Sequence, residues 1–296
     1  MTTLGSEQVA ATSRLFASSV VHELARKGRS PLFARLARQS RLGEELSEGD
    51  RVRELFDSAF RFLRREGYRH EYVYKSALTE KILLGRHSLQ TASMLSEFRV
   101  GDCKADVAIL NGTATVYEIK SERDSLVRLE RQIRAYSQVF ASVYVVSAEC
   151  HLKSVTSCVP ETVGILRLNN RYQISTEREA VDQPDRTSPA AIFDSIRTAE
   201  AGMILKARGM EIPDVPNTAL YQVLRELFVR LEPREAHLGM VAALKKTRNR
   251  LPLAQLVEQL PVCLQTAALS IPLRKADHCR LVDAVNTRFA DALEWA

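Results

Sequence analysis

"KADVAILNG" (104–112) runs straight into "TATVYEIKS" (113–121), and the fold turns on how these two stretches are read. Both alternate apolar and polar residues, and Asn111-Gly112 stands between them, which is a strong signal for a hairpin of two strands. The second strand poses a question. Glu118 and Lys120 are two residues apart, so in a strand they share a face, yet their neighbours Val116, Tyr117 and Ile119 belong in a core. Asp106 sits in the first strand, inside the run "ADVAIL". Two carboxylates and a lysine therefore converge on adjacent strands among apolar residues. An unpaired buried charge is costly, so the group needs compensation, which a divalent cation together with the lysine would provide.

Working outward, "MLSEFRVG" (94–101) reads as a strand before these two, turning at Gly101-Asp102. "YVYKSALTEKILLG" (72–85) reads as a helix ahead of it. After the hairpin, Leu126, Leu129, Ile133, Tyr136 and Phe140 recur at three- and four-residue spacing, which predicts a helix over 124–141. "SVYVVSA" (142–148) reads as a fourth strand, and "VGILRLNNRYQI" (163–174) as a further hairpin turning at Asn169-Asn170. The order over 72–148 is thus α-β-β-β-α-β, an α/β core with a mixed sheet. Helices flank it on both sides, including "RVRELFDSAFRFLRREG" (51–67) before it and a proline-punctuated, all-helical region after it. The organisation expected is an N-terminal helical region (1–69), the core (70–175), a polar linker with two prolines (176–190) and a helical C-terminal region (191–296). The stripe of Leu220, Leu224, Leu227 and Leu231 reads as intramolecular core before it reads as an interface.

The chemistry that wants Asp106, Glu118 and Lys120 together is metal-assisted hydrolysis of a phosphodiester. Mg²⁺ prefers carboxylate oxygens and retained waters. Asp106 and Glu118 are the candidate ligands, with the backbone carbonyl of Ile119 between them as a third. Lys120 is placed to orient the attacking water or to stabilise the transition state.

Asp106, the Glu118-x-Lys120 strand one hairpin later and the α-β-β-β-α-β order together resemble the PD-(D/E)xK nuclease superfamily, whose fold is restriction-endonuclease-like. The resemblance covers residues 70–170. It implies an acidic metal ligand on the helix before the sheet, and Glu80 occupies that helix. It also implies catalytic residues on the helix after the motif, where Gln132 and Tyr136 form a QxxxY pattern resembling that of phage-exonuclease-type members. Four residues apart, they lie on one helical face. The wording "EIKSERDSLVRLERQIRAY" (118–136) is similar to an uncharacterised bacterial group in the superfamily, with members near mobile or defence genes. One departure from the superfamily pattern is Ala105 where a proline commonly precedes the aspartate. The resemblance implies a Mg²⁺- or Mn²⁺-dependent nuclease acting on DNA rather than RNA, in antiviral defence or mobile-element biology. The alternative is a catalytically inactive nucleic-acid-binding or partner-binding module on the same fold.

Each residue also has a plainer reading. Glu118 and Lys120 suit an exposed pair on a solvated sheet face. Glu80 suits a pair with Arg86. Gln132 and Tyr136 suit a core tyrosine with an exposed neighbour. Arg123, Arg128, Arg131 and Arg134 are candidate phosphate contacts, or else a solvated helix face balanced by Glu122 and Glu130. Asp124 reads as the N-cap of the helix that follows.

The 296 residues carry 45% apolar and 26% charged side chains, as a globular protein does, with a formal net charge of +6 that is compatible with polyanion binding. No apolar run reaches membrane-spanning length, and the opening residues lack a signal-peptide layout, so a cytoplasmic protein without a membrane partner is expected. The helical regions offer surface for a second copy or for a partner protein. Five scattered cysteines with no CxxC pair argue against a disulfide framework or zinc site and read as buried thiols. The six histidines form no metal-ligating pattern and read as structural or surface residues.

Overall fold

A computed structural model describes residues 5–296. Its six strands are β1 (Ser93–Val100), β2 (Cys103–Asn111), β3 (Thr113–Lys120), β4 (Ser142–Ser147), β5 (Gly164–Leu168) and β6 (Ile174–Arg178). They form one mixed sheet in sequence order. The pairs β1–β2, β2–β3 and β5–β6 are antiparallel, while β3–β4 and β4–β5 are parallel. The two turns read from sequence are present. Val100 pairs with Cys103 across Gly101-Asp102, and Asn111 pairs with Thr113 across Gly112. Gly101 and Gly112 have φ of 54° and 72°, a conformation that side chains with a Cβ rarely adopt.

Five helices precede the sheet: α1 (Ser6–Arg14), α2 (Ser18–Lys27), α3 (Pro31–Ser40), α4 (Val52–Leu63) and α5 (Glu71–Leu78). In α4, Val52, Leu55, Phe56, Ala59 and Leu63 are all buried, as the period requires. The chain from α5 continues through a π-helical turn, Thr79–Leu83. Parallel strands need a crossover, and α6 (Leu129–Tyr136) supplies it between β3 and β4, as α7 (Leu152–Cys158) does between β4 and β5. The remaining helices are α8 (Pro189–Ser195), α9 (Thr198–Ala207), α10 (Asn217–Phe228), α11 (Pro233–Thr247), α12 (Ala254–Gln259), α13 (Val262–Ser270), α14 (Lys275–Asn286) and α15 (Phe289–Leu293).

The chain packs as two units. The first comprises the described residues up to Gly85, Asn170–Tyr172 and Arg250–Ala296; the second comprises Arg86–Asn169 and Gln173–Asn249. The second unit holds the sheet. Its core joins Ala108, Leu110, Ala114, Val116, Val143 and Val145 of the sheet to Leu129, Ile133 and Tyr136 of α6, and to apolar residues of α8–α11. Leu224 and Leu231 are buried there and Leu220 and Leu227 pack against them, so this leucine stripe is core. His237 of α11, fully buried, faces the Val139 carbonyl at 3.2 Å with Nδ1 and takes the Ala114 N–H at 3.3 Å with Nε2. It is structural. In the first unit, Tyr172 lies under the Arg64 guanidinium at 3.9 Å and meets the Phe60 ring edge-on.

Two expectations are corrected. The helix after β3 is shorter than 124–141, for a reason given below. Of the five cysteines, all free, only Cys103 and Cys263 are buried, while Cys150, Cys158 and Cys279 are exposed. Among the described residues no helix is long and apolar enough to cross a membrane.

Candidate active site

Glu118 and Lys120 are only 2% and 5% exposed, which rules out the solvated-face reading. The lysine itself provides the compensation that the buried carboxylate needs. Its Nζ donates to Glu118 Oε1 at 2.8 Å and to Gln132 Oε1 at 3.0 Å. The second oxygen, Glu118 Oε2, lies 2.9 Å from the hydroxyl of Tyr136, which is also 3.0 Å from the Lys104 carbonyl. The hydroxyl has one proton for two acceptors. Burial, and then the charge of Glu118, push the Tyr136 pKa well above the ordinary tyrosine value, so this hydroxyl remains protonated and acts as a donor.

The local sequence explains why these groups meet. The β2–β3 ladder pairs Val107 with Tyr117 and is replaced beyond that point by a side chain. Asp106 Oδ2 accepts the N–H of Ile119 at 2.7 Å, so the carboxylate binds the peptide between Glu118 and Lys120. On α6, Gln132 and Tyr136 are one turn apart, and each reaches a different member of the Glu118–Lys120 pair. Asp106, Glu118, Lys120, Gln132 and Tyr136 are thus one hydrogen-bonded constellation at the C-terminal end of β3, with the Ile119 backbone at its centre.

Asp124 does not cap the following helix. Its Oδ2 accepts the Ser121 N–H at 2.8 Å and the Ser121 hydroxyl at 2.5 Å, which closes a turn directly after β3. Helix α6 consequently starts at Leu129, with Arg128 as its N-cap. Arg123, Arg128, Arg131 and Arg134 are all exposed. Arg134 is paired with Glu130 at 2.8 Å. Glu80 belongs to the first unit, where it lies half-buried in the π-helical turn and is ion-paired with its neighbour Lys81, not with Arg86. Such turns are rare and concentrate at functional sites.

One acidic residue escaped the sequence reading. Glu97 has a left-handed backbone, φ 58°, in the middle of β1. It stands between the paired positions Ser96↔Val107 and Phe98↔Ala105, opposite Asp106. The two carboxylates come within 4.8 Å of each other, and Glu97 is ion-paired with Lys104. The core residues on either side, Leu95 and Phe98, are three apart, and so are Ala105 and Ala108. Strict alternation of faces therefore breaks on both strands at the Glu97–Asp106 position. The three-residue spacing of Leu95 and Phe98 was the available signal.

The donor chemistry fits a hard divalent cation. Glu118 accepts one hydrogen bond on each oxygen, leaving a lone pair on each. Asp106 adds a carboxylate, and the Ile119 carbonyl adds a neutral oxygen of the kind such ions take. The charges are also balanced without a cation, because Lys120 neutralises Glu118.

Comparison with known proteins supplies a lineage. The family of bacteriophage P4 protein cII is matched over residues 64–250, a span that includes every candidate site residue from Glu80 to Tyr136. Protein cII of Enterobacteria phage P4 is 30% identical over 102 residues, covering 34% of this chain and 35% of that protein. The chain thus spans about a third of the length of the curated relative it matches. A solved protein of unknown function from Silicibacter pomeroyi aligns with 57% of this chain and 99% of its own, at 18% identity and a TM-score of 0.29. That likeness is too slight to bear on fold or function.

Proposed function

The chain belongs to the bacteriophage P4 protein cII family, and we propose that it is a Mg²⁺-dependent nuclease that hydrolyses phosphodiester bonds in DNA. The observation that carries this reading is the placement of Lys120. A buried lysine is held between a carboxylate and an amide oxygen, at a strand end where a second carboxylate binds the adjoining peptide. The phage relative suits a role in phage or mobile-element biology, including defence. DNA rather than RNA is carried over from the nuclease resemblance.

Lys120 has three N–H donors. Glu118 and Gln132 engage two of them and fix the ammonium; the third is left for a phosphoryl oxygen or the attacking water. A fixed cation in a water-poor site stabilises the negative charge that builds on phosphorus oxygens in the transition state. Gln132 orients the lysine, and Tyr136 holds the far oxygen of Glu118 so that the carboxylate cannot rotate. Asp106, Glu118 and the Ile119 carbonyl would hold Mg²⁺, which when bound lowers the pKa of a water and neutralises phosphate charge.

A second reading has one observation in its favour: both oxygens of Glu118 are already engaged within the protein. A self-satisfied cluster of this kind suits a catalytically inactive nucleic-acid-binding module. The deciding experiment incubates the protein with plasmid, linear and single-stranded DNA, and with RNA, each with and without Mg²⁺ or Mn²⁺. Cleavage that requires the metal and disappears in Lys120→Gln, which keeps a hydrogen-bond donor while losing the charge, supports the nuclease. Binding without cleavage under every condition supports the inactive module.

A further inference from the structure

Between Lys120 and α6 the chain makes a loop, residues 121–128, whose shape is held from within. Ser121 is bound twice by Asp124, and the Val127 N–H reaches Ser125 Oγ at 3.3 Å. Leu126 packs against the core and Leu129 is buried within it, but Val127 between them is 90% exposed. Among the described residues the next most exposed large apolar side chain, Val262, reaches 51%. A lone exposed valine is ordinary on a surface. This one is distinguished by its setting, since the loop leaves directly from Lys120 and leads directly into the helix that carries Gln132.

The charges around Val127 point to its partner. Arg123 and Arg128 lie on either side of it in the loop, and Arg131 is one turn further on; all three are exposed. Among the described residues none of the three forms an ion pair, whereas Arg134 is neutralised by Glu130. Three uncompensated guanidinium groups around an apolar point are complementary to a polyanion with apolar surface between its charges, which describes nucleic acid. Proteins that grip single strands use aromatic platforms for stacking, and residues 121–135 contain no aromatic side chain. Small apolar wedges flanked by arginine are used on duplexes, where they enter the minor groove and partly unstack a base step.

We propose that residues 121–128 form a duplex-DNA wedge: Val127 enters the minor groove at a base step while Arg123 and Arg128 hold phosphates on either side. This inference rests on the nucleic-acid reading of the neighbouring site and adds a substrate class, double-stranded DNA distorted next to Lys120. The wedge is preformed, because the Ser121–Asp124 turn fixes the loop.

The test uses the full chain without divalent metal, a duplex carrying 2-aminopurine, and the matching single strand. Wild type is expected to bind the duplex and raise the probe's fluorescence as a step unstacks. Val127→Ser removes apolar surface at an exposed position where folding is unaffected, and a melting curve checks this. It should weaken duplex binding about fivefold, abolish the fluorescence rise and leave single-strand binding unchanged. Equal duplex affinity and fluorescence in wild type and Val127→Ser would overturn the wedge, and so would a loss confined to the single strand. In either case metal-dependent cleavage by wild type would leave the nuclease reading standing. A wild-type protein that binds no duplex at any salt concentration would overturn both.

Discussion

Lys120 Nζ lies 2.8 Å from Glu118 Oε1, and the two side chains, on the same face of one strand, are 7% and 3% exposed. Each charge is tolerable in that position only because of the other. Breaking a buried ion pair from one side leaves an uncompensated charge and costs about 3–5 kcal/mol, whereas replacing both partners by groups of similar volume is often close to neutral. Lys120→Met is therefore expected to lose about 3 kcal/mol or more in urea unfolding. The double variant Glu118→Gln, Lys120→Met should recover most of that loss. Additive losses in the double variant would show that the pair is not energetically coupled.

Metal binding has a readout that does not involve cleavage. A ligand that binds only the folded state stabilises it by about 2.7 kcal/mol at a hundredfold excess over its dissociation constant. Millimolar Mg²⁺ or Mn²⁺ should raise the melting temperature, and Asp106→Asn should shrink the rise. Glu97→Gln should shrink it too if the carboxylate beside Asp106 contributes to the same field. A wild-type melting curve indifferent to both metals would remove the cation from the site and favour the inactive binding module.

The arginines should divide by their partners. Removing one cation that neutralises a phosphate lowers the slope of log affinity against log salt by about 1. Arg128→Ala and Arg131→Ala are expected to reduce that slope, because neither guanidinium is ion-paired among the described residues. Arg134→Ala should change it less, since Glu130 already neutralises that side chain at 2.8 Å. Titrations at several salt concentrations measure this directly, and equal effects at all three positions would contradict it.

The strands were legible because alternation and the Asn111-Gly112 turn act locally. Asp106, Glu118 and Lys120 were legible together because a hairpin fixes which residues of two strands face each other, and Gln132 and Tyr136 because helical spacing puts both on one side. The start of α6 was not. Leu126 and Leu129 have helical spacing, but a side chain three residues after Ser121 binds that residue's N–H and hydroxyl and forms a turn first. Asp124 had the right chemistry for an N-cap and a different donor to satisfy. The left-handed backbone at Glu97 was hidden for another reason. Glycine and asparagine advertise such conformations, whereas glutamate does not. The π-helical turn around Glu80 likewise has no marker in the local composition, because it differs from an α-helix by a single hydrogen-bond step.

His237 gives a pH dependence of known sign. Its ring is enclosed where α11 meets the start of β3, with Nε2 taking the Ala114 N–H and Nδ1 facing the Val139 carbonyl. That pattern requires a neutral imidazole with its proton on Nδ1. Burial, the largest cause, lowers its pKa from 6.5, and the hydrogen bond to Val139 opposes the shift only in part. The folded state thus binds this proton less readily than the unfolded state does. By linkage its stabilising contribution is present in full above the unfolded value of about 6.5 and is lost as pH falls from there through the lowered folded value. Glu200 is also shifted down; burial raises its pKa, but Arg248, the Arg197 N–H and Thr247 together more than offset that. As a carboxylate it acts at lower pH, below its ordinary value of 4.5, so the two effects separate. Urea midpoints measured from pH 7 to pH 5 should therefore fall in wild type. In His237→Asn, which lacks a group that titrates in this range, the fall should be smaller even though the variant is less stable at pH 7. An unchanged slope in that variant would mean that the buried imidazole is not the group that takes up the proton.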